Sequence, residues 1–191
     1  MAIMKIPLFP LSSHLMPQGR MALRIFEPRY IRMVKQVCEA NSGFVICMIN
    51  TNGESSTNTH IHPIGTFCKV IDFDILDDGL LGVTVQGEYC VLVKHIHTEF
   101  DGLRVGECEP NDVWKKHLPS SGLAGVDEKL EEVFSHYPEV SSLYDELKFD
   151  DPEWVINRWL ELLPVAAEQK QYFLKTGDTQ KVLHYLFQLM E

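Results

Sequence analysis

The spacing of the apolar residues changes once along the chain, and that change limits the fold more than any other feature. Up to about residue 112, apolar residues alternate or run in short blocks bounded by turns, the pattern of strands with one helix. After about residue 120 they recur at helical spacing only. The sequence predicts an α+β protein. Pro119, Ser120, Ser121 and Gly122 mark the expected boundary, giving units 1–118 and 119–191.

In the first unit, residues 4–9 and 21–26 read as extended, with the loop 10–19 between them. Pro7 points to an edge position or a strand end. Pro28 opens a helix, where its missing N–H costs nothing, and Asn41 with Gly43 ends it. Ile31, Val34, Val37 and Cys38 should share its buried face. Residues 44–49 are continuously apolar, as in a strand covered on both faces. The polar stretch 50–59 reads as a loop. A long strand over 64–75 follows, with Phe67, Ile71, Phe73 and Ile75 expected inward. Asp77-Asp78-Gly79 turns the chain into Leu81, Val83 and Val85. Gly87 should break this strand before 89–97, and Asp101-Gly102 turns into 103–108. Several antiparallel strands with tight turns predict a closed or nearly closed small barrel.

In the second unit, Leu123, Val126, Leu130, Val133 and Phe134 define one helix, and 141–147 reads as a short one. Asp151-Pro152-Glu153 carries a cap, a first-position proline and a first-turn acid. Trp154, Trp159, Leu160 and Leu163 line the helix that follows, and core packing is the expected role of its aromatics. Pro164 interrupts or restarts the helix, and Gly177 marks the next break. The last helix, 179–190, is apolar nearly all round, which places it in a core or at an interface.

Charge and composition exclude several classes of function. The net charge is -10, and residues 127–153 hold ten acids against two lysines. Such a chain is repelled by phosphate backbones, so nucleic acid is a poor partner. No apolar run is long enough to span a bilayer, and the start lacks the features of a signal peptide. A cytoplasmic location is the expectation. The five cysteines include no C-x-x-C, which fits free buried thiols in a reducing compartment.

Catalytic and metal signatures are missing. The sequence contains no P-loop, no dinucleotide-binding glycine pattern, no nucleophile elbow and no H-E-x-x-H. His60 with His62 and His95 with His97 are two H-x-H pairs, but no acidic or cysteine ligand flanks them. No metal, cofactor or catalytic residue is expected. Asp72 and Asp74 read as a solvated strand face, not as an acid–base pair.

Three stretches carry a family resemblance: Ile6-Pro7-Leu8-Phe9-Pro10-Leu11, Met16-Pro17-Gln18-Gly19 and Leu23-Arg24-Ile25-Phe26-Glu27-Pro28-Arg29-Tyr30. Ile64-Gly65-Thr66, Val83-Thr84-Val85-Gln86-Gly87 and the series Trp154, Arg158, Leu163-Pro164, Lys170-Gln171, Leu174 follow in order. Together they resemble the N-terminal, substrate-recognition domain of Lon proteases over nearly the whole chain. Cys90 and Val91 stand where the family has arginine and phenylalanine, and the proline–glycine loop is one residue longer. The resemblance implies a PUA-like β-barrel with one inserted helix, followed by a helical bundle. It implies a non-catalytic module that holds unfolded or damaged polypeptide, without the ATPase and peptidase of Lon. RNA binding, known in other PUA-like barrels, is the alternative.

An exposed apolar patch or an open sheet edge would hold such clients. Leu15, Met16 and Met21, in or beside the loop 10–19, are candidate peptide contacts, methionine being adaptable. Phe26, Arg29 and Tyr30 are further candidates. The competing and favoured role for that junction is structural: Phe26 plugging the barrel, Glu27 capping the helix and Arg29 pairing locally. Expected partners are unfolded or misfolded polypeptides, a separate protease or chaperone, and a second copy of the chain.

Overall fold

The structure, a computed structural model, describes residues 3–115 and 122–190. The chain divides into two compact units, Met1–Asn111 and Asp112–Glu191. The expected boundary at 118/119 lies outside the described residues.

The first unit contains β1 (Met4–Leu11), β2 (Arg20–Ile25), α1 (Pro28–Glu39), β3 (Phe44–Ile49), β4 (Ile61–Ile75), β5 (Leu81–Thr98) and β6 (Arg104–Pro110). Five strands close a ring of ladders: β1 pairs with β3, β3 with β4, β4 with β5, β5 with β6, and β6 with β1. All these pairings are antiparallel except β1–β3, a parallel pair that the sequence did not indicate. The parallel pair is possible because β2 and α1 intervene in the chain and supply a crossover. The remaining strand, β2, pairs with the first half of β5 alone.

Two apolar clusters fill this unit. One draws only on ring strands: Ile6, Leu8, Val45, Cys47, Ile61, Val91, Val93 and Cys108. The other joins the opposite faces of β1 and β3 to β2, β5 and α1, through Phe9, Phe44, Ile46, Leu23, Val83, Met33 and Val37. Strand β3 alternates between them, which explains its unbroken apolar sequence. Phe26 belongs to neither cluster and is 64% exposed, so it does not plug the ring. Small and branched side chains fill the ring instead.

Helix α1 buries Tyr30, Met33, Val34 and Val37. The face is rotated from the expected one, leaving Ile31 and Cys38 exposed. Glu27 occupies the N-cap position but makes no side-chain cap bond; its carboxylate accepts from Arg29 at 2.7 Å. Gly87 does not end β5, which runs on through it. A Cβ there would lie 2.4 Å from the Met16 carbonyl oxygen. The glycine is needed because the loop before β2 crosses the strand at that point.

The second unit contains α2 (Val126–His136), α3 (Pro138–Ser141), α4 (Pro152–Leu162), α5 (Ala167–Thr176) and α6 (Thr179–Met190). The short helix starts at Pro138 instead of 141, because Pro138 supplies a favourable first position. Asp151 caps α4 as its sequence indicates, accepting from the amides of Glu153 and Trp154. Phe134, Tyr144, Phe149 and Trp154 form an aromatic cluster with centroids 5.5–5.8 Å apart. Two buried indoles find acceptors: Trp114 donates to Asn157 Oδ1 and Trp159 to the Val126 carbonyl, each at 2.9 Å. Arg158 is buried, with Glu161 accepting two of its N–H groups at 2.7 and 2.9 Å. Helix α6 buries Val182, Leu183 and Leu186 and exposes Leu189. No described helix is long and apolar enough to cross a membrane.

Candidate polypeptide-binding surface

The loop before β2 is part of the core. Leu15 and Met16 are 3% and 1% exposed, and Leu15 packs in the α1 cluster. Gln18 donates to the Gly87 carbonyl at 2.8 Å, Gly87 to the Gly19 carbonyl at 2.9 Å, and Thr66 Oγ1 to the Leu15 carbonyl at 2.6 Å. These bonds fasten the loop onto β4 and β5. The expectation that Leu15 and Met16 present an apolar surface is therefore corrected. Met21 is half-buried against the same cluster.

Tyr30 is buried too, its ring 4.3 Å from that of Phe9. Burial pushes the Tyr30 phenol above its ordinary pKa. Arg29 lies over the Tyr30 ring at 4.9 Å and donates to Glu27 and to the Gly102 carbonyl. Arg32 donates to Asp101 and Glu99 and lies over Phe100 at 5.2 Å. The two arginines fasten the β5–β6 turn to α1. The hydrogen bond from Arg32 holds the Asp101 carboxyl below its ordinary pKa. Of the six candidate peptide contacts, only Phe26 is largely exposed.

The exposed apolar strand surface lies elsewhere. Strand β4 has 15 residues, and β3 pairs with it only as far as Cys68. Beyond that point β4, β5 and β2 form a three-stranded ribbon in fixed register. Val70, Val85 and Met21 form one row, Phe73, Val83 and Leu23 a second, and Ile75, Leu81 and Ile25 a third. All three rows are apolar and share a face. The β2 and β5 members of these rows pack in or against the α1 cluster. On β4 that cover runs out: Phe73 is 70% exposed and Ile75 65%. Ile71, at the bulge between Val70 and Asp72, is exposed as well. These residues alternate as expected, but the expectation that they point into a core is corrected. β4 runs on past the end of β3, and there its apolar side chains are left uncovered.

The other face of the ribbon is polar. Asp72, Thr84 and Ala22 form one row, and Asp74, Gly82 and Arg24 the next. These residues, with Leu76, line a cleft of about 310 Å³. Leu76 folds over Gly82, where a Cβ would lie 2.8 Å from a leucine methyl. Arg24 pairs with Asp78 of the hairpin turn.

Among the described residues, no strand pairs with the outer edge of β4 beyond Cys68. The Leu76 amide donates to Leu80 at 2.8 Å, so hydrogen-bonded pairs fall at 76/80, 74/82 and 72/84. The peptide groups of Phe73 and Ile75 therefore face away from β5. Their amides donate to the carboxylates of the preceding residues, Phe73 to Asp72 at 2.9 Å and Ile75 to Asp74 at 2.7 Å.

No group of three or more potential metal-binding side chains occurs among the described residues. All five cysteines are free, and all but Cys38 are buried. Burial holds the thiols of Cys47, Cys68 and Cys108 in their neutral form by raising their pKa values, that of Cys108 to about 12.

A closed ring of strands with one helix against it, and a unit of helices alone, define a class of architecture that solved structures share. A Lon N-terminal domain protein from Xanthomonas campestris is 29% identical with a TM-score of 0.70, over 97% of this chain and 98% of that one. The N-terminal domain of Mycobacterium avium complex Lon protease has the same fold, with a TM-score of 0.67 at 12% identity over 97% of both chains. No curated protein sequence matches. Residues 5–191 match the family described as the ATP-dependent protease La (LON) substrate-binding domain, and the chain belongs to that family. A substrate-binding role comes with that membership.

Proposed function

We propose that this protein holds unfolded or damaged polypeptides through the overhanging end of β4, without chemistry of its own, as an adaptor in protein quality control. The observation that carries this reading is the strip Ile71, Phe73 and Ile75, exposed beside an unpaired strand edge. An exposed apolar strip binds apolar segments that a folded client hides, and an open edge offers main-chain pairing to an extended one. Membership of a substrate-binding family supports the reading. So does the latched, buried state of the loop before β2, which leaves β4 as the better surface. The free thiols fit work in the cytoplasm. The client would pass to a separate protease or chaperone, or be held by two copies of this chain.

The test is fluorescence anisotropy with a labelled, permanently unfolded model protein, and its folded form as control. Native protein is expected to bind only the unfolded client. The variant Phe73→Ser with Ile75→Ser is expected to lose at least about tenfold in affinity, a change of about 1.4 kcal/mol. Undiminished binding by that variant would remove β4 from the reading.

A further inference from the structure

The overhanging end of β4 presents two different chemistries on its two faces, and an incoming strand would meet both. On one face stand Phe73 and Ile75, open to solvent. On the other stand Asp72 and Asp74, with Asp77 in the following turn. The only arginine in their rows, Arg24, is engaged by Asp78. Lys69 and Arg20 share the next row on this face, on either side of Gln86, at the ring end of the ribbon. The acidic face toward the tip is thus without a balancing cation in its own rows.

Side chains alternate between faces along a strand with a period of two, and directly opposed residues on paired strands are neighbours. A strand added to the outer edge of β4 would place every second residue beside Phe73 and Ile75. The residues between them would stand beside Asp72 and Asp74. From this geometry we infer that the preferred client is an extended segment in which apolar residues alternate with lysine or arginine. This inference rests on the polypeptide-holding reading and names the client's chemistry.

The two aspartates also act on the edge itself. Their carboxylates accept from the outward amides of Phe73 and Ile75, the groups that a client's carbonyls would need. Charged residues at a strand edge oppose indiscriminate pairing. An approaching segment with glutamate or serine between its apolar residues leaves both carboxylates on those amides. One with lysine or arginine draws them away into ion pairs and frees the amides. The same two residues thus exclude one class of strand and admit another.

Three labelled peptides test this: isoleucine alternating with lysine, with serine and with glutamate. A fourth keeps the isoleucine–lysine composition but places the lysines in a block. The expected order has the alternating lysine peptide bound at least about tenfold more tightly than the other three. Its advantage should shrink as salt is raised. Backbone N-methylation at every second residue should abolish it by blocking strand pairing. The variant Asp72→Asn with Asp74→Asn keeps an oxygen for each amide and removes the charge. In it, the lysine and serine peptides should bind within about twofold of each other. Equal binding of all four peptides by the native protein would overturn the inference and leave polypeptide holding in place. So would a lysine preference that survives in the Asn variant or ignores the order of residues. Failure of every peptide and of the unfolded client alike would overturn both.

Discussion

The Met16 carbonyl oxygen stands 2.4 Å from where a side chain on Gly87 would begin, so one missing Cβ lets the loop before β2 close over β5. With the loop closed, Leu15 and Met16 are buried, whereas Phe73 and Ile75 at the free end of β4, beyond the β3 ladder, are exposed.

Gly87→Ala forces the loop off the strand or bends the strand away. The loss should be about 1–3 kcal/mol, the usual cost of inserting a methyl group where there is no room. Urea unfolding of the native and variant proteins measures it. A loss below about 0.5 kcal/mol, the range of neutral surface changes, would mean that the loop yields freely.

Leu15→Ser and Phe73→Ser should behave as opposites. Leu15 is in the core, so its replacement removes packing and buries a hydroxyl, at about 2–5 kcal/mol. Phe73 is mostly exposed, and its replacement should change stability by no more than about 0.5 kcal/mol while weakening client binding. Melting curves and anisotropy on the same two preparations separate the effects.

Buried thiols make the strand unit sensitive to alkali. Cys47, Cys68 and Cys108 have folded pKa values raised above those of an unfolded chain. The folded state therefore holds protons that the unfolded state releases, and stability falls as pH rises above about 9. At pH 8 a thiol reagent should modify Cys38 quickly and the four buried cysteines only on unfolding. Rapid reaction of two or more thiols would contradict the burial.

Lys170 acts with the opposite sign. Burial lowers its pKa from 10.5 to about 8, against the pull of Glu161. Between those values the unfolded chain binds more protons than the folded one, so this residue makes stability rise with pH. Relative to Lys170→Met, the native protein should gain stability from pH 8 to 10.5 and show no further relative change below pH 7. Parallel stability profiles for the two proteins would rule this out.

Asp151→Ala removes the acceptor for two amides at the start of α4. A loss of about 1 kcal/mol is expected, as for other side-chain caps. Asp151→Asn, which keeps a cap oxygen, should recover most of it in the same unfolding assay.

The sequence by itself determined most of the local structure and the family. Helix α4 begins at Pro152 under an Asp151 cap because those residue types satisfy the first amides wherever they stand. The run Phe44 to Ile49 reads as a strand with two apolar environments, and it has them. The junction from Leu23 to Tyr30 identified the family from adjacent residues alone. Burial of particular side chains was a different matter. Leu15 and Met16 look like loop residues, Phe26 like a plug, and Phe73 like a core residue, because periodicity reports a face and not what lies against it. Only the tertiary structure decided that. The β3 ladder stops at Cys68 while β4 continues, and Gly87 admits a loop that arrives from about 70 residues away, a separation no local pattern encodes.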